Sequence, residues 1–100
     1  MGCPIDMVFN RGMGSGLMSR KKPLEVMVRA MSQVMTTVPL TLKMRTGVYA
    51  DKRIAHTIIP PAMNQWGAQL VTLHGRSREQ RYSRLADWKY IGECAETLPQ

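Results

Sequence analysis

Residues 71–82 have the sequence VTLHGRSREQRY, a short apolar run that leads into a histidine, a glycine and three arginines. Packing alone explains such a transition poorly. In α/β proteins the carboxyl ends of parallel strands carry the side chains that contact ligands. We therefore predict a strand over residues 69–74 followed by a loop that forms part of a binding site. The residue types of this loop favour an anionic or nucleotide-like ligand.

A second strand is predicted over residues 38–45, where apolar and polar side chains alternate with a period of two. Lys43 lies on its polar face, and His74 ends the later strand. The two residues are 31 positions apart, about one β–α–β unit, so we expect them at the same end of neighbouring parallel strands. Cys3 precedes Lys43 by 40 residues and is expected just beyond a strand that lies before the chain begins.

The first predicted helix begins at Pro23, because proline is tolerated in the first turn. Apolar residues recur there at spacings of three and four, which predicts one buried stripe. The stripe consists of Leu24, Met27, Val28, Met31, Val34 and Met35. Residues 1–17 are rich in glycine and are predicted to form a loop.

Two further helices are predicted. One spans residues 54–66, with a kink or a break at Pro60 and Pro61, because proline lacks the amide hydrogen that a helix needs. The last is capped by Asp87 and is expected to turn apolar side chains inward. These side chains are Trp88, Ile91 and Ala95.

The alternation of strands and helices across short connections indicates parallel βα units. Two strands with three helices cannot bury both faces of a parallel sheet or cover its edges. We therefore predict an α/β fold with about two parallel strands and flanking helices. Residues 1–100 are expected to be a fragment of a barrel or doubly wound domain of about 250 residues, poorly stable on its own.

The charge balance favours a partner that carries phosphate. Fourteen Lys and Arg oppose seven Asp and Glu, which gives a net charge of +7. Half of the basic residues fall in two patches, residues 20–22 and residues 76–84. A merely solvated basic surface is the alternative.

A soluble protein of a reducing compartment, cytoplasmic or nuclear or both, is expected. Two cysteines are too few for a disulfide scaffold, and no segment resembles a signal peptide. No apolar run approaches the roughly 20 residues of a membrane span. A metal site is not expected, because the Cys and His residues lack a closely spaced ligand pair.

Four residues are candidates for chemistry. Cys3, between a glycine and a proline, could donate a proton or act as a nucleophile, or it could be a small apolar filler. Lys43 and Arg45 would be costly in a covered parallel strand unless they met charge or a ligand. His74, at the end of the next strand, is a candidate for the same reason, although a lone histidine is often a structural hydrogen-bonding residue. The glycine at position 75 would let a ligand approach the backbone.

The loop after His74 adds further basic residues. Arg76 adjoins the histidine, and Arg78 and Arg81 follow with Tyr82 beside them. Such a pattern suits phosphate contact together with stacking on a base, and a solvated loop is the alternative.

These motifs together resemble those of the dihydrouridine synthases. Gly2-Cys3-Pro4 is similar to the end of that family's N-x-G-C-P signature, and residues 12–18 resemble its G-x-G-S-x-L-L loop. Residues 43–47 match its K-x-R-x-G strand, and residues 74–82 match its H-G-R-x-x-x-Q-x-Y run. Four motifs in the right order cover nearly the whole chain. The residues around Cys3, residues 73–82 and residues 86–88 are similar to the eukaryotic branch that acts on position 47 of tRNA.

The resemblance implies part of a TIM (β/α)8 barrel that binds FMN and reduces uridine in tRNA, with NADPH as the electron donor. Cys3 would be the catalytic general acid, and Lys43 and His74 would bind the flavin. The substrate would be held by Arg45, Arg76, Arg78 and Arg81. A piece of a hundred residues is expected to bind FMN poorly and not to turn over.

Two alternatives to this enzyme remain open. A small basic RNA-binding module without catalysis would fold alone and bind tRNA with a steep salt dependence. Another FMN barrel, acting on a free pyrimidine, would not need an arginine-rich loop.

Overall fold

Two short parallel strands form the centre of the protein, whose computed structural model describes residues 1–98. Strand β1 is Thr41–Arg45 and strand β2 is Leu70–His74. The strands pair directly, with Lys43 opposite Thr72 and Arg45 opposite His74. Because residues two apart share a face of a strand, Lys43, Arg45 and His74 all point to one side of the sheet. The predicted parallel pairing of neighbouring strands is confirmed.

Among residues 1–98, five helical segments surround the sheet. Helix α1 is Asp6–Asn10, a 3₁₀ helix spans Gly14–Ser19, and α2 is Lys21–Val34. Helix α3, Ala55–Asn64, connects the two strands, and α4 is Trp88–Glu96. The chain therefore has α/β architecture with two parallel strands and flanking helices, as predicted.

The prediction of a loop over residues 1–17 was wrong. This segment contains α1 and the start of the 3₁₀ helix. Gly12 and Gly14, with φ of +73° and +55°, lie at the break between the two helices. The glycines therefore separate two short helices, an arrangement that composition alone does not distinguish from an irregular loop. Helix α2 likewise begins at Lys21, two residues before the predicted start at Pro23.

The core lies between the apolar face of β1 and helices α2 and α3. Leu42 and Met44 of β1 are buried against residues such as Ile58 of α3. Only Leu24 and Val28 of the predicted α2 stripe are fully buried. Met35 is partly buried against the core, whereas Met27, Met31 and Val34 are 39%, 42% and 79% exposed. The apolar stripe of α2 is therefore wider than the surface of the described elements that packs against it.

Helix α3 runs without a break through Pro60 and Pro61, so the predicted break was wrong, whereas the alternative of a kink remains a prediction. A proline at position 61 leaves the carbonyl of Thr57 without its helical donor. Lys21 Nζ donates to that carbonyl at 3.3 Å. Ile58 and its neighbour Ile59 are almost fully buried, and this burial offsets the lost backbone hydrogen bonds.

Asp87 caps α4 as predicted, since its Oδ1 accepts a hydrogen bond from the Tyr90 amide at 3.0 Å. The inward face is different from the one expected. Tyr90 and Cys94 are buried, whereas Trp88 is 78% exposed. The Tyr90 hydroxyl lies 2.7 Å from His56 Nδ1 and accepts from the His56 amide at 3.0 Å, which fixes the rotation of the helix.

Within residues 1–98, no helix combines the length and the apolar character that a membrane span requires. The same residues contain no group of three or more His, Cys, Asp or Glu side chains that could hold a metal ion. Both cysteines are free. Cys94 is buried in the core, whereas Cys3 is only partly buried and lies at the open face of the sheet.

Candidate functional site

The polar face of the sheet forms one wall of a cleft of about 550 Å³, which we call the Cys3 cleft. It receives side chains from the amino-terminal segment, from both strands and from the loop after β2. The lining residues are Met1, Gly2, Cys3, Pro4, Ile5, Lys43, Arg45, His74, Arg81 and Tyr82. The predicted convergence of Cys3, Lys43 and His74 is therefore found in the structure.

The parallel register explains this convergence. Arg45 and His74 are paired residues at the carboxyl ends of β1 and β2, and Lys43 lies two residues earlier on the same face. The backbone pairing continues beyond the strands, because the Thr46 amide donates to the Arg76 carbonyl at 3.1 Å. The two strand ends and their loops are thus held as one wall of the cleft.

Arg45 joins three separate segments around the cleft. Arg45 is only 1% exposed, and its Nε donates to the Gly2 carbonyl at 2.7 Å. Nη1 donates to the carbonyls of Ser77 and Arg81, each at 2.9 Å. The guanidinium therefore connects the amino-terminal segment to the loop after β2. This bridging role was not predicted from the sequence, which pointed only to a contact with substrate.

His74 lies in a cationic environment. Burial lowers the pKa of its imidazole below the usual 6.5, and the positive charges of Arg45, Lys43 and Arg76 lower it further. These effects favour the neutral form of the ring, in which one nitrogen donates and the other accepts a hydrogen bond. Arg76 Nη1 lies 3.4 Å from His74 Nε2.

We expect NMR titration of the complete protein to show a His74 pKa below 6.5. Replacing Lys43 with methionine should raise this pKa towards 6.5, because one of the cations that disfavour the imidazolium is removed. Lys89→Met, on the exposed surface of α4, is the matched control and should leave the titration unchanged. A wild-type pKa at or above 6.5 would contradict the arrangement of charges around the ring.

Tyr82 and its neighbours form the rim of the Cys3 cleft. The Tyr82 residue is 70% exposed, and its ring centroid lies 6.1 Å from that of His74. The guanidinium carbons of Arg45 and Arg76 lie 5.2 and 5.9 Å from the Tyr82 ring centre. Arg81 also lines the cleft. An exposed aromatic ring between guanidinium groups suits stacking on a base next to a phosphate.

Arg78 is placed differently from the other loop arginines. Its guanidinium forms an ion pair with Asp6 and lies over the Phe9 ring, 4.0 Å from the centre. These contacts attach the loop after β2 to α1, outside the lining of the Cys3 cleft. A contact between Arg78 and substrate remains a prediction.

Gly75 allows a close approach within the protein itself. A Cβ atom at this position would lie 2.9 Å from the Asp87 amide nitrogen and 3.0 Å from Ile91 Cδ1. The glycine therefore allows the loop to pack against the start of α4. A close approach of a ligand to this glycine remains a prediction.

The Cys3 cleft contains cations and no carboxylate among its lining residues. Lys43, Arg45 and Arg81 bring positive charge to the lining of the cleft, where it attracts negatively charged groups. The cleft therefore suits an anionic ligand. Its open mouth also presents a thiol, at Cys3, beside these charges.

Comparison with known proteins points to one family. The family model described as "Dihydrouridine synthase (Dus)" matches residues 1–99. A Xenopus tropicalis protein named "tRNA-dihydrouridine(47) synthase [NAD(P)(+)]-like" is 55% identical over 96 residues, which are 96% of this chain and 15% of that protein. The Homo sapiens protein of the same name is 53% identical over 96 residues, 96% of this chain and 14% of that protein. The Cryptococcus neoformans "tRNA-dihydrouridine(47) synthase [NAD(P)(+)]" is 50% identical over 98 residues, 98% of this chain and 14% of that protein.

Proposed function

Because this chain belongs to the dihydrouridine synthase family, we propose that it forms part of an enzyme that reduces uridine to 5,6-dihydrouridine in tRNA. The chain spans about 15% of the length of the curated relatives it matches, so the activity is that of a longer protein. The names of these relatives favour position 47 as the target. The observation that carries the proposal is the convergence of Cys3, Lys43 and His74 in one cleft whose lining contains no carboxylate.

The fold supports a place in a TIM barrel. In such barrels every strand is parallel, and side chains at the carboxyl ends of the strands form the active site. The β1–α3–β2 unit has this arrangement, with Lys43, Arg45 and His74 at one rim. The exposed residues of α2 and the open polar face of the sheet are surfaces that further barrel elements would cover. We propose that residues 1–100 are a fragment of such a barrel, in which β1–α3 and β2–α4 are two successive βα units.

The Cys3 cleft fits FMN in its charge. Reduced flavin carries negative charge, and Lys43 would supply a positive charge beside it, while the neutral imidazole of His74 would form a hydrogen bond with the ring. When bound, FMN supplies hydride for C6 of uracil, and NADPH restores the reduced cofactor.

Cys3 is the proposed proton donor for this reaction. A hydride added at C6 and a proton added at C5 together saturate the C5–C6 double bond of uracil. The Cys3 thiol gives the proton and is left as a thiolate, which recovers a proton from solvent. Cys94 cannot replace Cys3, because its side chain is buried in the core.

The target base must leave its stack to reach the cleft. Arg76 and Arg81 extend the positive charge of the cleft along the loop after β2, where they would contact tRNA phosphates. Tyr82 would stack on a base at the rim. Arg45, already bound to three carbonyls, would reach the substrate only with the remaining edge of its guanidinium.

The complete protein should form dihydrouridine in an unmodified tRNA transcript when FMN and NADPH are supplied. The product is measured by mass spectrometry of the digested tRNA. A non-catalytic RNA-binding module would bind the same transcript with a steep salt dependence and form no dihydrouridine. Binding without product would therefore overturn the proposal.

Lys43→Met should slow the oxidation of reduced flavin by tRNA by about 10²-fold, because one positive charge beside the reacting groups is removed. Stopped-flow absorbance of the flavin in the complete protein measures this rate. Lys89→Met removes the same charge from the surface of α4 and should leave the rate unchanged. Equal rates in the Lys43 variant and the wild type would exclude the proposed role of Lys43.

A further inference from the structure

Cys3 lies in a segment that has no regular secondary structure, since residues 1–5 precede the first helix. Specific contacts must therefore fix the position of its thiol. Arg45 holds the preceding residue through the Gly2 carbonyl. The Cys3 carbonyl is held separately, by the 3₁₀ helix that begins at Gly14.

Ser15 donates two hydrogen bonds to the Cys3 carbonyl. Its amide donates at 3.0 Å and its Oγ donates at 2.7 Å. The Ser15 residue is completely buried. Because the carbonyl carbon is bonded to the Cys3 Cα, these two contacts limit rotation of the backbone that carries the thiol.

Gly14 sets the second boundary of Cys3. Its φ is +55°, and a Cβ there would lie 2.9 Å from both the Cβ and the carbonyl oxygen of Cys3. The same atom would lie 2.8 Å from Val8 Cγ1. The cysteine therefore packs closely against the glycine backbone, and a side chain at position 14 would push it away.

We propose that Ser15 is a positioning residue for the Cys3 proton donor, which it holds at the cleft by its paired hydrogen bonds to the Cys3 carbonyl. The role assigned to Cys3 rests on the proposed function. The hold on its backbone rests only on the contacts of Ser15 and Gly14. A purely structural serine would instead maintain the fold of the segment without a selective effect on the thiol.

Ser15→Ala in the complete protein removes the hydroxyl and keeps the backbone amide. We expect a selective defect, with oxidation of reduced flavin by tRNA slowed by about 10–10²-fold, because a small displacement of a reacting group has large kinetic consequences. Reduction of the flavin by NADPH does not use Cys3 and should keep its rate. The FMN content should also be unchanged, and Ser15→Thr, which retains the hydroxyl, should recover most of the lost rate.

Ser19→Ala is the matched control. Ser19 lies in the same 3₁₀ helix, is exposed and donates through Oγ to the Gly16 carbonyl at 3.0 Å, with no hydrogen bond to Cys3. Ser19→Ala should leave unchanged the rates of both half-reactions, the reduction of the flavin by NADPH and its oxidation by tRNA. Equal behaviour of the Ser15 and Ser19 variants would overturn the positioning role. A Ser15→Ala variant that loses FMN and slows both half-reactions equally would also overturn it, in favour of a structural role.

Alkylation of Cys3 by iodoacetamide gives a readout that does not depend on turnover. Mass spectrometry of the peptide that contains Cys3 measures its rate in the wild type and in the Ser15→Ala and Ser19→Ala variants. We expect Ser15→Ala to change the alkylation rate of Cys3 relative to the wild type, and Ser19→Ala to leave this rate unchanged. If the wild type formed no dihydrouridine, the proposed function would fail, and the alkylation rates would still decide whether Ser15 positions Cys3.

Discussion

Replacing Cys3 with alanine in the complete protein should leave FMN bound and lower dihydrouridine formation by about 10²–10⁴-fold, the range that a general acid contributes. The thiol of Cys3 lies in the same cleft as Lys43 and His74. Alanine keeps the Cβ that packs against Gly14 and removes only the proton donor. The rate of dihydrouridine formation and the flavin absorbance of the purified variant test both parts of this expectation.

Cys94→Ala is the control for the loss of a thiol. Cys94 is only 2% exposed and belongs to the hydrophobic core. Its replacement should lower stability slightly and leave the activity per bound flavin unchanged. Full activity in the Cys3 variant would exclude Cys3 as the general acid. A loss of bound FMN in that variant would show instead that Cys3 supports the cofactor site.

Replacing Arg45 with methionine should lower the free energy of unfolding by at least about 3 kcal/mol, since hydrogen bonds to a charged group contribute about 1.5–3 kcal/mol each. Arg45 is buried and donates to the carbonyls of Gly2, Ser77 and Arg81. Methionine fills much of the same space but leaves three carbonyls without their donor. Lysine should restore little of the loss, because a single ammonium group cannot reproduce the geometry of the guanidinium.

Arg29→Met is the control for Arg45. Arg29 lies on the surface of α2, where it pairs with Glu25 at 2.8 Å and donates through Nη1 to the Gln65 carbonyl at 3.0 Å. Both contacts are exposed, and an exposed pair contributes no more than about 1 kcal/mol. Denaturant unfolding of the two variants of the complete protein compares their effects. If Arg45→Met were no more destabilising than Arg29→Met, the bridge across the cleft would not contribute to stability.

The central arrangement could be predicted because strand periodicity is a local rule and parallel pairing follows from the usual length of a β–α–β unit. A spacing of two places Lys43 and Arg45 on one face, and a separation of one β–α–β unit brings His74 beside them. The cap of α4 was likewise predictable, since Asp87 accepts from an amide only three residues away. The same local rules did not assign the inward face of α4, which depends on the contact between Tyr90 and His56.

The contacts that hold the site could not be predicted, because they join residues that are distant in the sequence. Arg78 pairs with Asp6 across 72 positions, which gives an apparent phosphate-binding residue a carboxylate partner within the chain. Arg45 reaches back 43 positions to the Gly2 carbonyl. Ser15 carries only a weak signal, a small polar residue between two glycines. Its burial against Cys3 becomes evident only in three dimensions.

A crystal structure of the complete protein with FMN bound would test directly whether the Cys3 cleft is the flavin site. We expect the flavin ring in contact with both Lys43 Nζ and the His74 imidazole, and the Cys3 thiol facing the space where uracil would lie. A flavin bound elsewhere, with Lys43 and His74 both distant from its ring, would contradict the assignment of this cleft.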